Sequence, residues 1–183
     1  MSPATEPLWG DAYRREATAR VAAHLPEGGI VLEASLFYPT GGGQPGDAGA
    51  LEWDGRTMPV TTTVKGEHGT VILLPEPGAE RPPVGTEVRQ RLDWARRHAH
   101  MRVHTALHLL SVVIPLPVTG GQISAGKGRL DFDMPDPPGE KAELQAALQA
   151  LIDRDLAVSE TWVTDAELDA SPRLVKTMSV APP

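Results

Sequence analysis

Between Ile30 and Leu92 the chain is interrupted too often to form anything but short strands. Pro39-Thr40-Gly41-Gly42-Gly43-Gln44-Pro45-Gly46-Asp47 breaks all regular structure, Asp54-Gly55 is a strong hairpin turn, Gly66 to Gly69 is another turn, and Pro75 to Gly85 is a proline-rich loop. The intervening stretches read as strands: Ile30 to Phe37, Ala48 to Trp53, Thr57 to Lys65, Val71 to Leu74 and Thr86 to Leu92. In the last, Val88, Gln90 and Leu92 alternate with Glu87, Arg89 and Arg91, as a half-buried strand requires. Strand after strand with tight turns predicts a small β-barrel or sandwich. One helix is expected ahead of it, from Asp11 to His24, on the helical spacing of Tyr13, Ala17, Arg20, Val21 and His24 and on the stop at Pro26 and Gly28-Gly29.

The pattern changes near Asp93. Trp94 to Ile114 reads as one long helix, stopped by Pro115 and Pro117. Gln122 to Ser124 and Arg129 to Phe132 read as strands joined at Ala125-Gly126, Glu140 to Asp155 as an amphipathic helix, Val158 to Val163 as a strand, Asp165 to Ala170 as a short helix and Leu174 to Val180 as a last strand. The fold class expected is α+β: a barrel domain with a glycine-rich loop over 1–92, and an α+β domain over 93–183.

Composition excludes some chemistry. There is no cysteine, so neither disulfides nor thiolate ligands or nucleophiles exist in the 183 residues. No apolar run approaches membrane-helix length and no secretory signal is visible at Met1 to Glu6, so the cytoplasm is the compartment expected. The formal net charge of −7 is unlike a generic nucleic-acid binder, yet Arg89, Arg91, Arg96, Arg97 and Arg102 cluster against a single carboxylate, Asp93. Such a cluster reads either as a solvated face or as a phosphate-contacting one.

His104-Thr105-Ala106-Leu107-His108 is the sharpest candidate for chemistry. Histidines four apart share a helix face and can converge on one Zn²⁺. Thr105 stands where zinc peptidases of the H-E-x-x-H class need a glutamate base, which excludes that class. Two histidines do not complete a zinc site. His100 could extend the row, though three ligands on one straight helix cannot easily wrap an ion; Asp131 and Asp133 are weaker candidates. The run Gly41-Gly42-Gly43-Gln44 lets backbone N–H groups approach a ligand, and is neither a Walker A loop nor a dinucleotide fingerprint. Phe37-Tyr38 beside it could stack on a base.

Taken in order, Phe37 to Asp47, Arg96-Arg97, Met101 to Leu110 and Arg129 to Asp133 resemble the free-standing alanyl-tRNA editing family, and are similar to the editing domain of alanyl-tRNA synthetase. The resemblance runs from about Leu8 to Val180. It implies a translation-factor-type barrel followed by an α+β editing domain, and hydrolysis of the ester in mischarged Ser-tRNA(Ala), in some members Gly-tRNA(Ala). It implies one Zn²⁺ held by the H-x-x-x-H pair, here His104 and His108, and by a later C-x-x-x-H pair. By position, Gly41, Gly42, Gly43, Gln44, Arg96, Arg97, Arg102, Thr105 and Gln122 are the candidate substrate and tRNA contacts. No cysteine is present and no histidine follows His108, so the expectation is a chain short of the second zinc half-site, impaired in deacylation. The alternative is a tRNA-binding module that keeps the editing fold without the metal chemistry; a carboxylate-based metal hydrolase centred on Asp131 is a third reading.

Overall fold

The structure is a computed structural model and describes residues 4–136, 138–159, 161 and 163–170. It divides into two compact units, Met1–Met101 and Arg102–Pro183.

The first unit is built on a closed six-stranded barrel. Its strands are β2 (Glu16–His24), β3 (Ile30–Leu32), β5 (Gly49–Trp53), β6 (Arg56–Lys65), β7 (Val71–Pro75) and β8 (Glu87–Leu92), in the order β2-β3-β7-β6-β5-β8, with β8 returning to β2. Outside the barrel, β1 (Glu6–Pro7) pairs in parallel with β4 (Ala34–Ser35). The stretch from Ile30 to Phe37, expected as one strand, is thus two short pieces separated at the exposed Glu33. Asp54 and Gly55 both carry positive φ (44° and 72°), the backbone of a type I′ turn, whose twist matches the strands it joins.

The helix expected over Asp11 to His24 is instead a turn at Asp11 followed by strand β2. The spacing of Ala17, Val21 and His24 fits a helix, but Ala17 and Val21 also lie on one side of a two-residue alternation against exposed Glu16, Thr18 and Arg20. The alanines favour helix only weakly. Antiparallel partners on both edges, β3 and β8, satisfy the backbone of the segment and override that preference.

The barrel is filled by Val21, Ile30, Leu32, Leu36, Phe37, Leu51, Met58, Leu73 and Val88, all at most 1% exposed. Gln90, alternating inward with Val88 and Leu92, is a buried polar exception. Its Nε2 donates to the Ala34 carbonyl and its Oε1 accepts from the Leu36 amide, so one side chain fixes the chain leaving β4 onto β8.

Helix α1 (Trp94–Val113) begins in the first unit and ends in the second. Asp93 caps it, accepting the Arg96 amide on its carboxylate. The second unit continues with the antiparallel hairpin β9 (Val118–Ser124) and β10 (Lys127–Phe132), turned at Ala125-Gly126, then α2 (Lys141–Asp153) and α3 (Asp165–Ala170). Gly128 is required by close packing within this unit: a Cβ there would lie 2.7 Å from the Val103 side chain and 3.0 Å from that of Leu107. The strand expected over Val158 to Val163 is not formed at its described residues, and the one expected over Leu174 to Val180 lies outside the described residues. The architecture is α+β, a small N-terminal barrel followed by an α+β unit.

Candidate functional site

In the first unit the glycine-rich segment is a closed loop pinned at three levels. At its base Tyr38 and Asp47 face each other: the Asp47 amide donates to the Tyr38 carbonyl (2.9 Å) and the Tyr38 amide to Asp47 Oδ2 (2.8 Å). In the middle, the Thr40 amide and hydroxyl both donate to the Thr63 carbonyl on β6, and the Thr40 hydroxyl accepts the Gly46 amide. At the tip, Gly41 and Gln44 exchange two backbone hydrogen bonds. The tip needs its central glycines, because Gly42 and Gly43 both have positive φ (58° and 76°), a type I′ turn. Gly46 is required for a different reason: a Cβ there would sit 1.9 Å from the Thr63 carbonyl oxygen. Gln44 is buried while Gly42 and Gly43 are exposed, so the turn offers backbone rather than side chains to its surroundings.

Arg97 secures this loop from helix α1. Its Nε lies 2.9 and 3.0 Å from the two Asp47 carboxylate oxygens and its Nη2 lies 2.5 Å from Oδ2, while Nη2 also donates to the Leu36 carbonyl. Arg97 is 5% exposed and Asp47 1%. The structure thus places Arg97, a candidate tRNA contact in the sequence, as a buried brace. Arg96 is half-buried, with its Nε carrying no hydrogen-bond partner among the described residues. The neighbouring arginines of the cluster differ again: Arg89 pairs with Glu16 and Glu52, and Arg91 with Glu52, on the outer barrel wall. Phe37 has no surface to offer a base, being wholly buried in the barrel, and Tyr38 is packed edge-on against Trp9.

In the second unit His104 and His108 lie one helical turn apart with their rings stacked, centroids 4.9 Å apart and planes 15° from parallel. His104 is half-buried and His108 exposed. Burial first, and then the adjacent His108, hold the His104 imidazole below the ordinary histidine range, which favours the neutral form that ligates metal. Arg102 and Thr105 are exposed on the same helix. Gln122 is exposed on β9, opposite Arg129 of β10. Arg129 in turn pairs with Asp131 (3.1 Å), the carboxylate considered as a further ligand.

Comparison with known proteins decides the family. A profile of class II (A) tRNA synthetases matches residues 11–96. The alanyl-tRNA editing protein AlaX-M of Pyrococcus horikoshii is 34% identical over 164 residues, 85% of this chain and 73% of the relative. The chain belongs to the alanyl-tRNA editing family. The AlaX-M protein of Methanosarcina mazei is 38% identical over 134 residues, which is 68% of this chain and about half (53%) of that relative. An alanine–tRNA ligase of Pyrobaculum arsenaticum is 32% identical over 162 residues, 84% of this chain and 18% of the ligase.

The zinc that this family implies is matched in part by the residues present. His104 and His108 supply two imidazoles of the right type at the right sequence spacing, half of a four-ligand set. Among the described residues no group of three or more histidine, aspartate or glutamate side chains could hold a metal ion. No helix among them is long and apolar enough to cross a membrane.

Sequence reasoning missed the residues that shape the editing family's glycine-rich loop here. Thr63 is the anchor of its middle level, and Lys65 places its Cε and Nζ 3.1 and 3.3 Å from where a Cβ on Gly41 would be. Only strand pairing reveals them: Met58 and Val60 alternate inward along β6, but a register shift after Val60 breaks the period before buried Thr63.

Proposed function

We propose that this chain acts on mischarged tRNA(Ala), hydrolysing the aminoacyl ester of Ser-tRNA(Ala) and, as a second substrate, Gly-tRNA(Ala), with Zn²⁺ as cofactor. The observation that carries the reading is the facing His104–His108 pair in a member of the alanyl-tRNA editing family. Zinc held there would supply a Lewis acid able to polarise the ester carbonyl or to take the serine hydroxyl as a ligand. The remaining work falls to groups of the protein. The exposed Gly42-Gly43 turn offers close backbone approach to the substrate, with Gln44 beneath it. Arg102, Thr105 and Gln122 are the exposed polar groups of the second unit proposed to contact the tRNA end, and Arg96 is their counterpart in the first. The role of Arg97 is to hold the loop through Asp47 rather than to meet phosphate. A site that demands a polar contact from the substrate side chain rejects the analogue without it, which is how serine would be removed and alanine spared.

The test is zinc content and Ser-tRNA(Ala) deacylation of the chain beside His104→Ala and His108→Ala, with Ala-tRNA(Ala) as the control substrate. Loss of metal and of hydrolysis in both variants, with Ala-tRNA(Ala) spared throughout, supports the reading; hydrolysis that survives both removes it.

A second reading rests on the same half-site. With two imidazoles and no third ligand group among the described residues, metal would be held weakly. The chain would then bind tRNA without cleaving it. Binding without turnover at saturating zinc, with affinity falling steeply as salt rises, separates this from the first reading.

A further inference from the structure

Away from the glycine-rich loop, the first unit carries a second cluster that the editing chemistry does not use. The chain has only eight Phe, Trp and Tyr residues in all, and Tyr13, at 63% exposed, is the most open aromatic among the described residues. It is not a loose side chain. Its amide donates to Asp11 Oδ1 and the next amide, that of Arg14, donates to the Asp11 carbonyl, so a turn built on Asp11 fixes the backbone that presents it. Its ring leans on two others: Trp94, the first residue of α1, at 5.6 Å between centroids, and His98, one turn on, at 6.3 Å. Trp94 and His98 stack, 5.3 Å apart and 15° from parallel. The Arg15 guanidinium lies 4.6 Å from the centre of the Trp94 ring. Arg15 is also tied through its carbonyl to the Leu92 amide.

Positive charge gathers at the same spot. On the outer barrel wall Arg20, Arg89 and Arg91 each pair with a carboxylate. Arg14 and Arg15, both exposed, have no carboxylate partner among the described residues, in a chain of net charge −7. A single exposed tyrosine needs no explanation. An open, backbone-fixed tyrosine backed by two stacked rings and flanked by two guanidinium groups without a carboxylate partner combines flat apolar faces with uncompensated positive charge. Unpaired nucleotides have the complementary pairing: a flat base on a phosphate chain.

We propose that Tyr13, backed by Trp94 and His98 and flanked by Arg14 and Arg15, is a stacking platform for unpaired nucleotides of the tRNA on which this chain acts. The proposal rests on the family reading for its partner, and adds the surface and the mode of contact. Tyr13 supplies the face for one base, and Arg14 and Arg15 meet the phosphates on either side of it.

The experiment measures binding of a tRNA(Ala) transcript, and of a blunt-ended, fully paired RNA duplex, to the full chain and to Tyr13→Ala, Tyr13→Phe and Arg14→Ala. Tyr13→Ala is expected to weaken tRNA binding about 5- to 150-fold, the scale of one lost base stack, and to leave the duplex unchanged. Tyr13→Phe keeps the ring and is expected to stay within about twofold. Arg14→Ala is expected to lower the slope of log affinity against log salt by about one. Thermal melting guards against a folding explanation for these exposed positions. If the unsubstituted chain binds no tRNA, the proposed function itself fails. If it binds and Tyr13→Ala binds as well, or loses duplex and tRNA alike, the platform is wrong while the proposed function stands. If Tyr13→Ala instead turns a dimer into a monomer, the face belongs to a second copy and the proposal is overturned.

Discussion

Arg97 grips the Asp47 carboxylate through Nε and Nη2, and the same carboxylate accepts the Tyr38 amide at the base of the glycine-rich loop. A helix residue thus reaches both ends of a loop fifty positions earlier in the chain. Both partners are almost fully buried, so removing either one strands an uncompensated charge. Arg97→Ala is expected to cost about 3–5 kcal/mol, read as a lower midpoint in denaturant unfolding. Arg97→Lys retains charge but not the fork, and should recover only part of it. Equal stability of Arg97→Ala and the unsubstituted chain would mean the pair does not brace the loop.

Two glycines of that loop are needed for opposite reasons, and alanine distinguishes them. At Gly46 the added methyl meets the Thr63 carbonyl oxygen at 1.9 Å, and backbone must move. At Gly42 there is nothing within 4 Å, and only the positive φ of 58° resists. Gly42→Ala should cost about 1 kcal/mol, while Gly46→Ala should cost about 1–3 kcal/mol or more and loosen the Thr40–Thr63 bonds. Hydrogen exchange at the Thr40 amide is the discriminating readout: faster in Gly46→Ala, little changed in Gly42→Ala.

His100 predicts a pH dependence of stability. It is 1% exposed, and its Nδ1 has no hydrogen-bond partner among the described residues. Burial lowers its pKa below 6.5, Arg96 and Arg97 lower it further, and Asp47 and Asp93 oppose them in part. Between the folded value and about 6.5 the unfolded chain binds a proton that the folded chain does not. Stability contributed here is therefore complete above about 6.5 and is lost as pH falls toward the folded value. Unfolding free energy measured from neutral pH downward should decline less steeply in His100→Gln; identical slopes would exclude His100 as a source.

The barrel was legible where alternation and turn chemistry agree. Val88, Gln90 and Leu92 face inward as their spacing requires, and Asp54-Gly55 turns the hairpin that its residues predict. The segment Glu16–His24 was not, because alanine at positions 17, 19, 22 and 23 fits either period and only the partners β3 and β8 decide. The histidine pair could be placed from a four-residue spacing alone. The Asp47–Arg97 pair could not: both residues stand in conspicuous motifs, but a contact across fifty positions leaves no local periodic trace. The same holds for Tyr13 against Trp94, which is 81 positions away.

The His104–His108 pair makes the last prediction. Stacked imidazoles 4.9 Å apart can share one metal ion only if both stay neutral, and the lowered pKa of His104 favours that state near neutral pH. Zinc should therefore raise the melting temperature of the chain, by mass action on the folded state alone. His104→Ala and His108→Ala should each abolish the rise, because one imidazole cannot hold the ion. His98→Ala, on the same helix but stacked on Trp94, should leave it intact. Thermal melts at increasing zinc, with magnesium as the control ion, measure this without reference to activity. A zinc-dependent rise that persists in His104→Ala would assign the metal to other residues.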